Sequence, residues 1–138
     1  MADEYVLRIP AKLEGMDVIL AFVSLLLDIN GCSTKTRTQL RIAVEELYVN
    51  VTLYAYPDED GWAEIRGSVE DGVATFALID GGRPFDPLAK EDPDIMLSGE
   101  EREIGGLGIF MVKKSMDDFS YTYDEATKSN VVVFRKDW

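Results

Sequence analysis

The chain contains no histidine. That removes a Ser-His-Asp triad, a Cys-His pair, a histidine-ligated zinc and any phosphohistidine, and it leaves carboxylates to carry whatever proton chemistry exists. Cys32 is the only cysteine, so no internal disulfide can form, and nothing points to an oxidising compartment; a cytoplasmic home is expected. Long apolar runs are also missing. The longest, Val18 to Leu27, is interrupted by Ser24 and falls short of the roughly 20 residues a membrane helix needs. Met1 to Pro10 lacks the basic start and apolar stretch of a secretion signal. Basic residues are scarce: 14 Lys plus Arg stand against 26 Asp plus Glu, a formal net charge of -12. Phosphate neutralisation dominates nucleic-acid affinity, so this balance argues against nucleic acid as a partner, and equally against anionic membranes.

What is present suits one globular domain over residues 1–138, with 46% apolar and 29% charged residues. Residues 5 to 9 read as a strand that Pro10 confines to an edge or an end. Helical spacing of Val18, Ile19, Phe22, Val23, Leu26 and Leu27 predicts a helix over Met16 to Ile29, stopped at Asn30-Gly31. Ser33 or Thr34 caps a second helix expected to reach about Tyr56. Two strands, Trp62 to Val69 and Val73 to Ile79, flank an Asp-Gly hairpin signal. A stretch without clear period runs from about Gly81 to Gly106, followed by a helix over Leu107 to Met116 and strands over Phe119 to Tyr123 and Val131 to Arg135. The order β-α-α-β-β-loop-α-β-β predicts a two-layer α/β sandwich, a mixed, mostly antiparallel sheet of about five strands with three helices on one face.

Three segments hold residues suited to chemistry. Glu46 and Asn50 lie about 40° apart on one helix face, between Ile42, Val49 and Leu53 on one flank and Ala43, Leu47 and Tyr54 on the other. A carboxylate and a carboxamide in an apolar belt need partners. Either Glu46 reaches the domain edge while Asn50 bonds nearby backbone, or Glu46 is a general base and Asn50 an oxygen ligand for a hard cation such as magnesium. Asp80 ends an apolar strand, and Gly81-Gly82 follow it, which would let a planar ligand with an exocyclic amine approach; a plain Asp-Gly turn fits the same residues. Gly105-Gly106-Leu107-Gly108 at a helix start exposes backbone N–H groups, which suits phosphate.

In this order the three segments resemble the N, G1 and G2 boxes of the gyrase/histidine-kinase ATPase superfamily, and most closely the bacterial anti-sigma factor serine/threonine kinases. The resemblance rests on Glu45-Glu46-Leu47-Tyr48-Val49-Asn50, on Asp80 to Pro87 in the form Asp-x-Gly-x-Pro-Phe-Asp-Pro, and on Gly105 to Lys114 with Met116-Asp117; it spans about residues 5 to 136. It implies the Bergerat, histidine-kinase-like ATPase fold. It further implies ATP and magnesium as cofactors, with Asn50 on the metal, Asp80 accepting from the adenine amino group, and Gly82 letting the base approach. Gly105, Gly106, Leu107 and Gly108 would offer amides to the phosphates, Arg102 is the nearest basic residue for the γ-phosphate, and residues 86–104 would form a lid. Glu46 would take the proton of a serine or threonine hydroxyl on a small anti-sigma-antagonist protein. A sigma factor or other regulatory protein would be the sequestered partner, and a homodimer the assembly. Relatives often carry histidine where Tyr54 stands, and their Gly-Thr or Gly-x-Asn before the last strand is here Ser129-Asn130. Two alternatives remain at this point: a nucleotide-binding regulator that sequesters a partner without phosphorylating it, and a domain that keeps the fold without ATP.

Overall fold

The structure, a computed structural model, describes residues 3–88 and 106–138. Strand β1 (Tyr5–Pro10) leads through a short 3-10 turn into helix α1 (Met16–Ile29), helix α2 (Thr34–Asn50) follows, and the hairpin β2 (Trp62–Glu70) and β3 (Val73–Asp80) completes the first half. Helix α3 (Gly106–Ser115) and the hairpin β4 (Asp118–Asp124) and β5 (Ser129–Asp137) make the second.

Local chemistry sets the boundaries. Helix α1 ends in a Schellman arrangement: Gly31 sits at φ +72°, its N–H reaches the Asp28 carbonyl, and the Cys32 N–H reaches the Leu27 carbonyl. Ser33 is the cap of α2, its Oγ accepting from the Thr36 N–H at 3.3 Å. Asp71 and Gly72 both take positive φ, 52° and 75°, as a two-residue type I′ hairpin turn demands. One boundary departs from the expectation. Regular α geometry stops at Asn50, not near Tyr56, and Val51–Ala55 form one wider π turn.

The sheet order is β1-β2-β3-β5-β4. All four hydrogen-bonded pairings are antiparallel, so the mixed character expected from the sequence is absent from this sheet. Strands β3 and β4 do run the same way, joined across α3, but β5 lies between them and pairs antiparallel to both. That insertion places Asp80, the last residue of β3, directly opposite Asn130 of β5.

All three helices cover one face of the sheet, and the core fills the space between, with Ile19, Leu27, Val44, Ile65, Phe76 and Phe134 essentially inaccessible. Tyr48 is fully buried and donates its hydroxyl hydrogen toward the Pro10 and Lys12 carbonyls, tying α2 to the end of β1. No helix among the described residues is long and apolar enough to cross a membrane.

Candidate functional site

A cavity opens where the end of α2 and its π turn meet the ends of β3 and β5. Leu47, Val51, Ala55, Leu78, Phe85 and Val132 give it apolar walls, and Asn50, Asp80 and Asn130 supply the polar groups. Such a slot suits a flat, mostly apolar ring with one or two polar edges.

Asp80 is 6% exposed. Its Oδ1 accepts from the Gly82 N–H and from Asn130 Nδ2, each at 2.9 Å, and no described residue donates to Oδ2. Burial pushes this carboxyl above its ordinary range, against the opposing pull of the Asn130 and Gly82 donors. One carboxylate oxygen is therefore fixed while the other is available as an acceptor at the cavity wall.

Asn130 is the residue that sequence reasoning undervalued. Its Nδ2 also donates to the Arg83 carbonyl at 2.8 Å, and its Oδ1 accepts from the Phe85 N–H at 3.0 Å and from the Tyr121 hydroxyl at 2.5 Å. It thereby fixes Asp80 and the segment after it as one unit. The signal was its place in the variant Ser129-Asn130, one residue into the last strand, but only the register of β3 against β5 reveals what it faces.

The π turn grips the same segment from the other side. The Ala55 carbonyl accepts from the Arg83 N–H at 3.0 Å, and the Tyr54 carbonyl accepts from Arg83 Nε at 2.9 Å. Tyr54 stacks on Phe85 with ring centroids 5.4 Å apart, so the tyrosine in place of a histidine packs against the cavity wall. Tyr56 donates its hydroxyl hydrogen to the Trp62 carbonyl and accepts from the Gly81 N–H, both at 2.6 Å. A Cβ on Gly82 would stand 2.5 Å from the Ala55 Cβ and 2.7 Å from its carbonyl carbon, so the missing side chain lets the π turn come close.

Glu46 faces elsewhere. It borders a wide groove between α2 and α3, with Gln39, Ile42, Gly108, Met111 and Ser115, while Asn50, one turn on, borders the cavity. The apolar belt expected around the pair is only half buried: Ala43 and Leu47 are in the core, but Ile42 is 49% and Leu53 58% exposed. Burial, and secondarily the neighbouring Glu45 charge, raise the Glu46 carboxyl above an ordinary glutamate. Gly108, in the first turn of α3, lies against that carboxyl group. Gly106 and Leu107 belong to the same turn, whose first amides have no partner within the helix. Arg102, Gly105 and residues 89–104 of the expected lid lie outside the described residues.

The histidine kinase-like ATPase domain matches residues 9–136 of this sequence. The chain belongs to that family. Within it, a protein named serine-protein kinase RsbW from Listeria innocua is 31% identical over 130 residues, which is 91% of this chain and 83% of the relative. The protein of that name from Listeria monocytogenes is 29% identical over the same shares, and that from Bacillus cereus 26% identical over 86% of this chain and 77% of its own. The resemblance to the anti-sigma factor kinases thus holds at the level of the family. As a histidine kinase-like ATPase domain the chain uses ATP.

Proposed function

We propose that this chain is a magnesium- and ATP-dependent serine/threonine protein kinase that phosphorylates a small anti-sigma-antagonist protein and sequesters a sigma factor or other regulatory protein in the cytoplasm. The observation that carries the reading is the arrangement along α2: Glu46 borders an open groove, Asn50 borders the cavity one turn further on, and the first turn of α3 packs against Glu46. The purine would enter the apolar cavity with its amino group toward Asp80, and the phosphates would leave it toward the amides of Gly106, Leu107 and Gly108. Gly105, Arg102 and the lid belong to the same proposal.

Magnesium would be held by Asn50. The donor set fits: Asn50 brings a single neutral oxygen ligand to the cavity, and among the described residues no group of three or more acidic or sulfur ligands competes for a metal. Held there, magnesium would supply charge neutralisation for the transferring phosphoryl group. Glu46 takes the proton of the acceptor hydroxyl, and its raised carboxyl is a stronger base than an exposed glutamate. Phosphoryl transfer depends mostly on positioning and electrostatics, so one base with amides and a metal suffices without histidine.

A homodimer has support of its own. Val18, Phe22, Leu25 and Ile29 form a second apolar seam on α1 at 4-3-4 spacing; Val18 is 50% exposed, and Leu25 and Ile29 are each 64% exposed. The seam is palindromic about residues 23 and 24, so two antiparallel copies would set Val18 on Ile29 and Phe22 on Leu25. Leu25→Glu should convert dimer to monomer in analytical ultracentrifugation without loss of helix signal.

The deciding experiment incubates the protein with magnesium, γ-labelled ATP and the small proteins encoded beside it. Label on a serine or threonine of a neighbour is the expected result. ATP bound but never transferred would favour the regulator that sequesters its partner without phosphorylating it.

A further inference from the structure

Gly108 sits inside a helix, at a position where alanine would be the better helix former. Its backbone φ lies outside the left-handed region, so conformation does not explain the glycine. Its surroundings do. A Cβ at this position would fall 2.5 Å from the Cδ of Glu46 and closer still to Oε2, well inside van der Waals contact. The Glu46 carboxyl group rests on the bare backbone of α3.

Nothing else among the described residues holds it there. No hydrogen bond or ion pair to a described residue reaches the Glu46 carboxylate, in contrast to Asp80 with its two donors on one oxygen. The position of Glu46 is therefore set by shape, by the flat place that Gly108 leaves in the first turn of α3. On one side of that place is the groove bordered by Ile42 and Met111; on α2, one turn away, Asn50 reaches the cavity.

We propose that Gly108 is a positioning residue for phosphoryl transfer: its missing side chain makes the seat in which the Glu46 carboxylate meets the acceptor hydroxyl. The proposal rests on the reading of Glu46 as the general base. In the step concerned, the acceptor oxygen forms a bond to the γ-phosphorus, the bond from that phosphorus to the β-γ bridging oxygen breaks, and ADP leaves with the electron pair. The hydroxyl proton passes to Glu46. A methyl group on residue 108 drives the flexible end of Glu46 into the groove and away from the hydroxyl, yet leaves the backbone N–H of residue 108 in place.

The test compares Gly108→Ala with the native chain, using Mg-ATP and a phosphoacceptor found among the neighbouring proteins. At saturating nucleotide, transfer should fall about 100-fold, the scale of a misplaced general base. Adding Glu46→Asp to Gly108→Ala shortens the acid and should recover about tenfold, although Glu46→Asp alone slows the native chain. Transfer within about threefold of native in Gly108→Ala at saturating nucleotide overturns the proposal. The carbon-13 carboxyl resonance of Glu46 in the nucleotide-free protein gives an answer independent of kinase activity. It should shift in Gly108→Ala; an unshifted resonance overturns the seat even if the chain is a kinase. A native chain that phosphorylates nothing, with the resonance shifting as expected, upholds the seat and overturns the reading of Glu46 as a base.

Discussion

Asn130 alone joins Asp80, Arg83, Phe85 and Tyr121, whereas no described residue hydrogen-bonds the carboxylate of Glu46, which lies against a bare stretch of helix. The two ends of the site are thus built on opposite plans. At the Asp80 end the carboxylate is already ordered in the folded chain, with one oxygen held and the other open to an incoming donor. At the Glu46 end the group is placed by packing alone and faces an open groove, as suits a base that must first admit a bulky protein acceptor and then come into hydrogen-bond range. The difference also says where each end is vulnerable: the Asp80 end through lost hydrogen bonds, the Glu46 end through lost space.

Glu46→Gln should break the comparison most sharply. Transfer to a protein acceptor is expected to fall by about 10³, within the range a general base contributes, while ATP affinity by titration calorimetry stays within a few-fold of native. An equal loss of affinity would mean that the two ends are one. Next in size is Asn130→Ala, which leaves Asp80, the Arg83 carbonyl and the Phe85 N–H short of a partner in a buried place. About 2–4 kcal/mol of stability in urea unfolding should go, and ATP affinity should fall at least about tenfold with it.

Asp80→Asn separates binding from stability at the same end. ATP affinity should drop about 10- to 100-fold for one lost charge-assisted bond, while the fold holds or gains stability. The sign follows from the raised carboxyl. Asp80 holds its proton more readily folded than unfolded, so its contribution is intact at low pH and is lost as pH rises from the ordinary aspartate value through the raised one. The stability advantage of Asp80→Asn should therefore widen over that window and then stay level. The smallest effect sharpens the Glu46 end: the acidic limb of the transfer rate should lie above the range of an ordinary glutamate, because burial raises that carboxyl. A limb at the ordinary value would place Glu46 in open solvent during transfer.

Much of this was legible in residue order. The boxes around Glu46, Asp80 and Gly106, the cap at Ser33, the stop at Asn30-Gly31 and the Asp-Gly hairpin all depend on local chemistry, which a sequence states directly. What stayed hidden depends on neighbours distant along the chain. Helical spacing marks Ile42 and Leu53 as apolar but cannot say that this flank turns from the sheet toward solvent. The π turn at Val51–Ala55 leaves no mark in composition, since valine, threonine and leucine serve either geometry. That the missing side chains of Gly82 and Gly108 make room for Ala55 and Glu46 is hidden for the same reason. The part of Asn130 follows from β5 entering between β3 and β4, a matter of topology rather than of any nearby residue.

That late insertion of β5 bears on how the protein is made. Asp80 and Asn130 stand 50 residues apart, and the asparagine lies in the last strand of the sheet. A growing chain still attached to the ribosome carries Glu46, Asn50 and Asp80 long before residue 130 emerges, yet until then the segment after Asp80 has only the π turn and Tyr56 to hold it. If Asp80 is the adenine acceptor, as proposed, firm nucleotide capture would come only once the closing strand has been made.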